Sequence, residues 1–131
     1  VRTVIEATGI AMDSMTLRMV TKSSGSKFLC PPAYGTGSCV DFTTKYTGIQ
    51  FSYGGTTYRY DYDSTNKKIT FIKNALLSVD LTPPTISVDD LAFYVQNNNT
   101  PKISNVTILM QASAKADPSA SAIIQTSIVV K

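Results

Sequence analysis

The first 20 residues carry apolar side chains at steps of three and four positions, which is the period of an α-helix with one apolar face. Ile10 and Leu17 lie off this face, so the helix would have apolar groups on more than one side. Because Ser23-Ser24-Gly25-Ser26 cannot continue a helix, we predict a helix over 1–22 and a loop over 23–39. The predicted apolar face consists of Val1, Val4, Ile5, Thr8, Ala11, Met12, Met15 and Met19.

From about residue 40 the pattern changes to an alternation of apolar and polar positions, which is typical of β-strands. Tyr58, Tyr60 and Tyr62 alternate with polar residues, and Gly54-Gly55 separates them from the alternating segment 49–53, as the turn of a hairpin would. Further strands are predicted over 40–42, 68–72, 91–95, 103–110 and 122–130, with a stop at the Asn-rich segment 96–101.

One helix followed by strands at hairpin spacing predicts an α+β fold, in which an N-terminal amphipathic helix packs on an antiparallel β-sheet. No internal repeat or interdomain linker interrupts the chain, and 131 residues is an ordinary size for one domain. We therefore predict a single domain over 1–131, in which 1–22 is the helix, 23–39 is a loop with both cysteines and 40–131 is the β-sheet region.

Composition excludes most catalytic chemistry. The chain contains no histidine, which excludes every mechanism based on a histidine general base or a histidine-ligated metal. Its net charge of +3 is scattered along the sequence, whereas a nucleic-acid surface needs a clustered basic face. No apolar run approaches the roughly 18 residues that would indicate a membrane-spanning helix. We predict a protein that is not an enzyme, has no cofactor and functions through packing or surface contact.

Cys30 and Cys39 flank a segment rich in proline, glycine and serine, which predicts a loop. Two thiols so close on a loop would pair in an oxidising compartment, and closing the loop would contribute about 2.5–3 kcal/mol on the chain-entropy model. The disulfide interpretation indicates an exported protein. The alternative is a pair of free thiols in a reducing compartment.

Three segments carry a resemblance to a known family. They are Tyr58-Arg59-Tyr60-Asp61-Tyr62-Asp63 with Asn66-Lys67-Lys68-Ile69-Thr70, then Val88-Asp89-Asp90-Leu91-Ala92-Phe93-Tyr94-Val95 with Pro101 and Val106-Thr107-Ile108, and the ending Ile124-Gln125-Thr126-Ser127-Ile128-Val129-Val130-Lys131. Together with the helix and the cysteine loop, they resemble the soluble part of a type IV pilin-like protein, either a minor pilin or a type II secretion pseudopilin. The basic leader, cleavage glycine and apolar helix start of that family are not in the sequence.

The resemblance implies a structural subunit of an extracellular filament. Its partners would be other pilin or pseudopilin subunits. Before assembly it would be anchored in the inner membrane by an apolar segment preceding Val1, and residues 1–20 would be the second half of the family's long helix. Exposed contacts would come from the loops 25–39 and 96–101. The residues assigned to subunit packing are Val1, Val4, Ile5, Thr8, Met12, Met15 and Met19.

The methionines of the predicted helix have a second interpretation, because Met12, Met15 and Met19 could instead pack against the sheet of their own domain. In that case the remaining apolar flank of the helix would be the part available to another subunit.

Tyr58, Tyr60 and Tyr62 fall on one face of their strand and are the candidate ligand contacts, together with Arg59 and Lys67. An exposed row of tyrosines beside these cations would favour a binding module, an adhesin at a filament tip or cell surface that contacts a glycan or DNA. The cysteine loop is the other surface that such a module could use. A buried row would favour a structural subunit, since tyrosines in a core usually direct only the hydroxyl toward the rim.

Asp61, Asp63 and Asn66 place oxygen atoms at spacings that a calcium loop could use. The segment lacks the glycine and the glutamate of an EF-hand loop, and aspartate and asparagine are ordinary turn residues. We interpret the segment as a turn and predict no metal. Asp89 and Asp90 are interpreted as caps of a strand or turn.

Overall fold

The chain is described from a computed structural model, which covers residues 2–22, 28–31, 39, 43–74, 76–99 and 102–130. The predicted N-terminal helix is present as α1 (Arg2–Lys22). Seven strands follow it within the described residues: β1 (Gly48–Tyr53), β2 (Thr56–Asp63), β3 (Lys68–Lys73), β4 (Leu77–Asp80), β5 (Ile86–Asn99), β6 (Lys102–Ala114) and β7 (Ser121–Val130). The strand predicted over 40–42 lies outside the described residues.

The strands form two antiparallel sheets, a first sheet of order β1-β2-β3-β4 and a second sheet of order β5-β6-β7. The predicted α+β class, with one N-terminal helix and antiparallel pairing, is therefore confirmed, but the strands divide between two sheets where one was expected. The division falls at Pro83-Pro84, between β4 and β5. Proline has no N–H to donate to a ladder, so this segment cannot carry the pairing of the first sheet onward.

Two turns of the first sheet follow directly from their residues. Gly54 and Gly55 both have positive φ, 59° and 81°, which is the backbone of the tight hairpin turn predicted between β1 and β2. Asp63 organises the turn between β2 and β3, where its carboxylate accepts the backbone N–H groups of Thr65 and Asn66 at 3.1 Å each.

The central hairpin of the second sheet is longer than predicted. The strand expected over 91–95 runs as β5 to Asn99, and β6 begins at Lys102, so the segment 96–101 does not stop the strand where expected. The reason is pairing across the hairpin, since Asn97 lies opposite Ser104 and Asn99 opposite Lys102. Ladder hydrogen bonds outweigh the weak strand propensity of asparagine. A bulge shifts the register between Val88 and Asp90.

One hydrophobic core joins the helix to both sheets. Met15 and Met19 of α1, Tyr60 of the first sheet, and Phe93 and Ile108 of the second sheet are all fully buried in the same cluster. A smaller cluster lies at the start of the helix, where Val4 packs with Ile86 and Ala112. The helix is therefore seated on both sheets, and its position decides which side chains remain available for other contacts.

A seam of hydrogen bonds connects the two sheets. The backbone of Tyr46 exchanges two hydrogen bonds with Phe93, at 3.0 and 2.7 Å. Nearby, the Val88 N–H donates to the Lys67 carbonyl at 2.8 Å, and the Tyr62 hydroxyl donates to the Val88 carbonyl at 2.7 Å. These contacts place the bulged start of β5 against the turn between β2 and β3.

Candidate functional site

The helix face to which subunit packing was assigned is occupied inside the chain itself. Val4, Thr8, Met12, Met15 and Met19 are 0–3% exposed and belong to the two core clusters or lie between them. The buried Thr8 hydroxyl is satisfied locally, because it donates to the Val4 carbonyl at 2.8 Å. This burial supports the second interpretation of the methionines, in which they pack against the sheets of their own chain. Ile5, by contrast, is 49% exposed, and Val1 lies outside the described residues.

A different set of apolar side chains on α1 faces away from the core. Ile10 and Leu17 are 70% and 66% exposed, and Val20 is 49% exposed. Ile10 and Leu17 are seven positions apart, so they lie one above the other on the helix surface. We call Ile10, Leu17 and Val20 the outer row of α1. A helix that buries one apolar face and leaves a second exposed has a surface suited to another apolar partner.

The three tyrosines share one face of β2, as predicted, and that face is turned toward the core. Tyr60 is fully buried, and Tyr58 and Tyr62 are half-buried and pack against the main cluster. The Tyr58 ring stacks between Phe51 and Phe71, with centroid distances of 5.5 and 6.1 Å. The row is therefore part of the packing between β2 and its neighbours, and it does not form an open platform for a flat ligand.

Arg18 of α1 completes this aromatic cluster, although its sequence position suggests only a surface charge. Its guanidinium carbon lies 4.2 Å from the centroid of the Phe71 ring, and its Nη1 donates to the Tyr60 hydroxyl oxygen at 2.8 Å. Burial raises the pKa of Tyr60, while the positive charge and hydrogen bond of Arg18 oppose that rise. A helical arginine beside the apolar face was the only signal of this contact in the sequence.

Arg59 projects from the opposite face of β2, away from the tyrosine row. Its Nε lies 2.8 Å from the Asp61 Oδ2, which pairs the two charges on the outer surface of the first sheet. A shallow groove is present beside it. The groove is lined by Gln50, Thr57, Arg59, Ile72 and Asn74.

Lys67, the second candidate cation, belongs to the seam between the sheets. It has a positive φ of 52°, and its Nζ lies 4.0 Å from the Asp89 Oδ1. The structure therefore separates the candidate ligand contacts: Lys67 and the Tyr62 hydroxyl face the seam, and Arg59 faces the outer surface. They do not converge on one site.

The candidate calcium ligands are used for turn formation and ion pairing. Asp63 accepts the side-chain amide of Asn66 at 2.8 Å in addition to two backbone N–H groups, and these hydrogen bonds hold its pKa below the usual range. Asp61 pairs with Arg59. Within the described residues, no group of three or more acidic, cysteine or histidine side chains could hold a metal ion.

A hydrogen-bonded cluster around the Asp89 carboxylate, which the sequence did not predict, lies at the bulge of β5. Asp89 accepts the hydroxyl of Ser87 at 3.1 Å and the hydroxyl of Ser113 at 2.7 Å. Asp89 and Asp90 both lie inside β5, so their interpretation as caps of a strand or turn was wrong. The pairing with Ser113 depends on the register of β5 against β6, which no local pattern specifies.

The predicted disulfide between Cys30 and Cys39 is present, with a Cα–Cα distance of 5.2 Å. Both cysteines are buried in the main core cluster. The preceding residue, Leu29, exchanges two backbone hydrogen bonds of 2.8 Å with Gln50 of β1. The base of the cysteine loop is thus fixed to the first sheet and to the core beneath α1.

A comparison with family models, curated proteins and solved structures finds no match to this chain. In the part of the chain that the structure describes, no helix is both long and apolar enough to cross a lipid bilayer.

Proposed function

We propose that this chain is a structural subunit of an extracellular type IV pilus-like filament, a minor pilin or a pseudopilin, which assembles through its N-terminal helix. The observation that carries the proposal is the outer row of α1, whose Ile10 and Leu17 are 70% and 66% exposed while the opposite face is buried. In pilin-like proteins the occupant of such a surface is the N-terminal helix of a neighbouring subunit.

The remaining features agree with a packing role outside the cell. The Cys30–Cys39 disulfide suits an oxidising compartment. The tyrosine row is covered, and its Arg18 contact fixes the helix on the first sheet. A rigidly seated helix would present its outer row in a constant direction, which a regular filament requires.

Replacing Leu17 by glutamate in the full-length protein, expressed in its source organism, tests the proposal. We expect fewer filaments in the sheared surface fraction, because a charge would be placed in an apolar contact between helices. Leu76→Glu is the matched control, since Leu76 is also apolar and is 89% exposed, but it lies between β3 and β4. Both substitutions should change the stability of the isolated chain by no more than about 0.5 kcal/mol.

Two results would contradict the filament role. One is filament recovery unchanged by Leu17→Glu in a protein shown to be present at normal amounts. The other comes from the gene: the proposal requires a coding segment for roughly 20 apolar residues just before Val1. A coding sequence without it would exclude the family's mode of assembly.

A binding module at a filament tip or cell surface is the second candidate function. The observation in its favour is the groove at Arg59. The amides of Gln50 and Asn74 and the hydroxyl of Thr57 line it together with the Arg59 guanidinium, and such a concave polar surface suits a hydroxyl-rich glycan. Screening on a glycan array should then give signals that Arg59→Ala removes and Lys115→Ala keeps. An array without any Arg59-dependent signal would contradict this function.

A further inference from the structure

In the part of the chain that the structure describes, the last strand of the second sheet has one unpaired edge. β7 ends the order β5-β6-β7, and β6 is its only ladder partner among the described residues. The outward N–H and C=O groups of an edge strand are a template for pairing with another strand. An extended polypeptide is therefore the chemical class of partner that fits this edge.

The other sheet edges carry features that oppose such pairing. β4 is four residues long, and its Asp80 pairs with Lys68 at 3.0 Å. The edge of β5 is bonded at Phe93 by Tyr46, and the edge of β1 is bridged by Leu29. β7 is ten residues long and contains no charged residue, proline or glycine, so it lacks the devices that usually protect an edge.

Apolar side chains flank this edge on both faces of the sheet. On the outer face, Ile123 and Val129 are 68% and 56% exposed. On the face that carries α1, Ile128 is half-buried and lines an open groove with Leu17 and Val20 of the helix. The edge thus offers backbone hydrogen bonds in its centre and apolar contacts above and below.

We propose that β7 pairs in antiparallel fashion with β7 of a second copy of this chain, around a two-fold axis at Thr126. The second sheet of one copy and the second sheet of the other then form one continuous sheet of six strands. The pairing closes on itself, because both copies use the same surface. It rests on the edge of β7 and does not require the filament role, although Leu17 of the outer row also lines the groove beside Ile128.

The sequence of β7 selects this register. A two-fold axis perpendicular to the sheet keeps outer-face residues opposite outer-face residues only when it passes through a residue, and Gln125 and Thr126 are the two residues at the middle of β7. Centred on Thr126, it places Ile123 opposite Val129 of the second copy, twice by symmetry. Centred on Gln125, it would place Ile123 opposite Ser127. Only the first register pairs the exposed apolar side chains with one another.

The helix layer is compatible with the same arrangement. α1 packs on β6 and β7, so the helices of the two copies would lie on one side of the joined sheet, about two strand spacings or roughly 10 Å apart. Ordinary packed helices are about 8–10 Å apart. In this register Ile124 of the second copy lies beside Ile128, at the groove that Val20 lines.

Sedimentation equilibrium of the 131-residue chain tests the pairing. We expect a monomer–dimer equilibrium whose dissociation constant rises about tenfold or more in Ile123→Lys, because two buried apolar pairs become charged. The control is Gln111→Lys, which puts the same charge on the same face at an exposed position in β6, one strand away from the edge. Its dissociation constant should equal that of the parent chain.

Charge pairing then tests the register. The double variant Ile123→Lys, Val129→Glu places opposite charges at paired positions and should recover the dimer. The double variant Ile123→Lys, Ser127→Glu should not recover it. A parent chain that stays monomeric up to its solubility limit overturns the proposal, and so does a dimer that Ile123→Lys leaves unchanged. Recovery by the Ser127 combination instead would overturn the Thr126 axis.

Discussion

Arg18 shows at the level of one residue how a buried phenol is accommodated under the helix. Tyr60 is fully buried, and a buried hydroxyl is costly unless it has a hydrogen-bond partner. Arg18 supplies that partner at 2.8 Å and at the same time stacks on Phe71. One flat guanidinium therefore satisfies the polar atom and covers the neighbouring ring, which lysine cannot do in the same geometry.

Replacing Arg18 by lysine should lower the free energy of unfolding by about 1–2 kcal/mol, because it removes the planar stacking and redirects a charge-assisted hydrogen bond. Urea denaturation followed by circular dichroism measures the change. Lys115→Ala, which removes an exposed cation outside the contacts of Arg18 with Tyr60 and Phe71, should stay within about 0.5 kcal/mol of the parent. An equal effect of the two substitutions would exclude a packing role for Arg18.

The raised pKa of Tyr60 predicts a loss of stability in alkaline solution. The folded state holds the phenol proton more tightly than the unfolded state, so this residue contributes its full stabilisation below about pH 10, the pKa of an unperturbed tyrosine. As the pH rises further, the unfolded state loses its proton first, and the free energy of unfolding falls until the raised pKa is passed.

Urea denaturation at a series of alkaline pH values should show a shallower decline in Tyr60→Phe than in the parent chain. Tyr53→Phe is the matched control, since the Tyr53 side chain is 46% exposed. The same pH dependence in all three proteins would contradict the assignment to Tyr60.

At the level of secondary-structure elements, the local sequence pattern predicts those features that depend on residues close together in the chain. The Gly54-Gly55 turn and the shared face of the tyrosines follow from residues within one hairpin. The two-sheet arrangement does not, because it depends on contacts such as the exchange between Tyr46 and Phe93. Pairing between distant segments is decided by the whole packing, which one strand's alternation cannot specify.

Prediction of the candidate site from the sequence has the same limit, because it also depends on contacts between distant segments. The period of α1 identifies the face formed by Met12, Met15 and Met19, but it cannot tell whether that face meets the chain's own sheets or another subunit. The structure buries it internally and leaves Ile10 and Leu17 exposed, two residues whose position off the stripe was already visible. Side-chain periodicity predicts that an apolar surface exists, whereas the identity of its partner is a property of tertiary packing.

The bulge of β5 leads to a prediction for Asp89. Asp89→Ala would leave the buried hydroxyls of Ser87 and Ser113 without their acceptor, and we expect a loss of about 2–4 kcal/mol in the free energy of unfolding. Asp90→Ala is the neighbouring control, because the ion pair of Asp90 with Lys45 is exposed and should contribute no more than about 1 kcal/mol. Equal losses in chemical denaturation would show that the cluster does not hold the bulge.

At the scale of the whole molecule, the disulfide joins two cysteines that are both buried in the main core cluster. Intact-mass measurement with and without reductant should show the loss of two hydrogens in the untreated protein. The double variant Cys30→Ala, Cys39→Ala should then lose about 2.5–3 kcal/mol of stability through the entropy of the unfolded chain. Urea denaturation of the parent with and without reductant should reproduce this loss. A parent protein with two free thiols would remove this argument for an exported protein.

We expect the two sheets to unfold as one cooperative unit. Among the described residues they are joined by few backbone hydrogen bonds but share one hydrophobic cluster under α1. Met15 is fully buried in that cluster, and Met15→Ala should cost about 2–5 kcal/mol through the cavity it leaves. Because the cluster includes residues of both sheets, the slowest amides of β2 and β6 should lose hydrogen-exchange protection by the same factor.

Ile10→Ala is the control on the same helix. The Ile10 side chain is 70% exposed, so its removal should leave the amides of both sheets protected. Loss of protection confined to one sheet would mean that the sheets unfold separately, and α1 would then be a cover for one of them instead of the element that joins both.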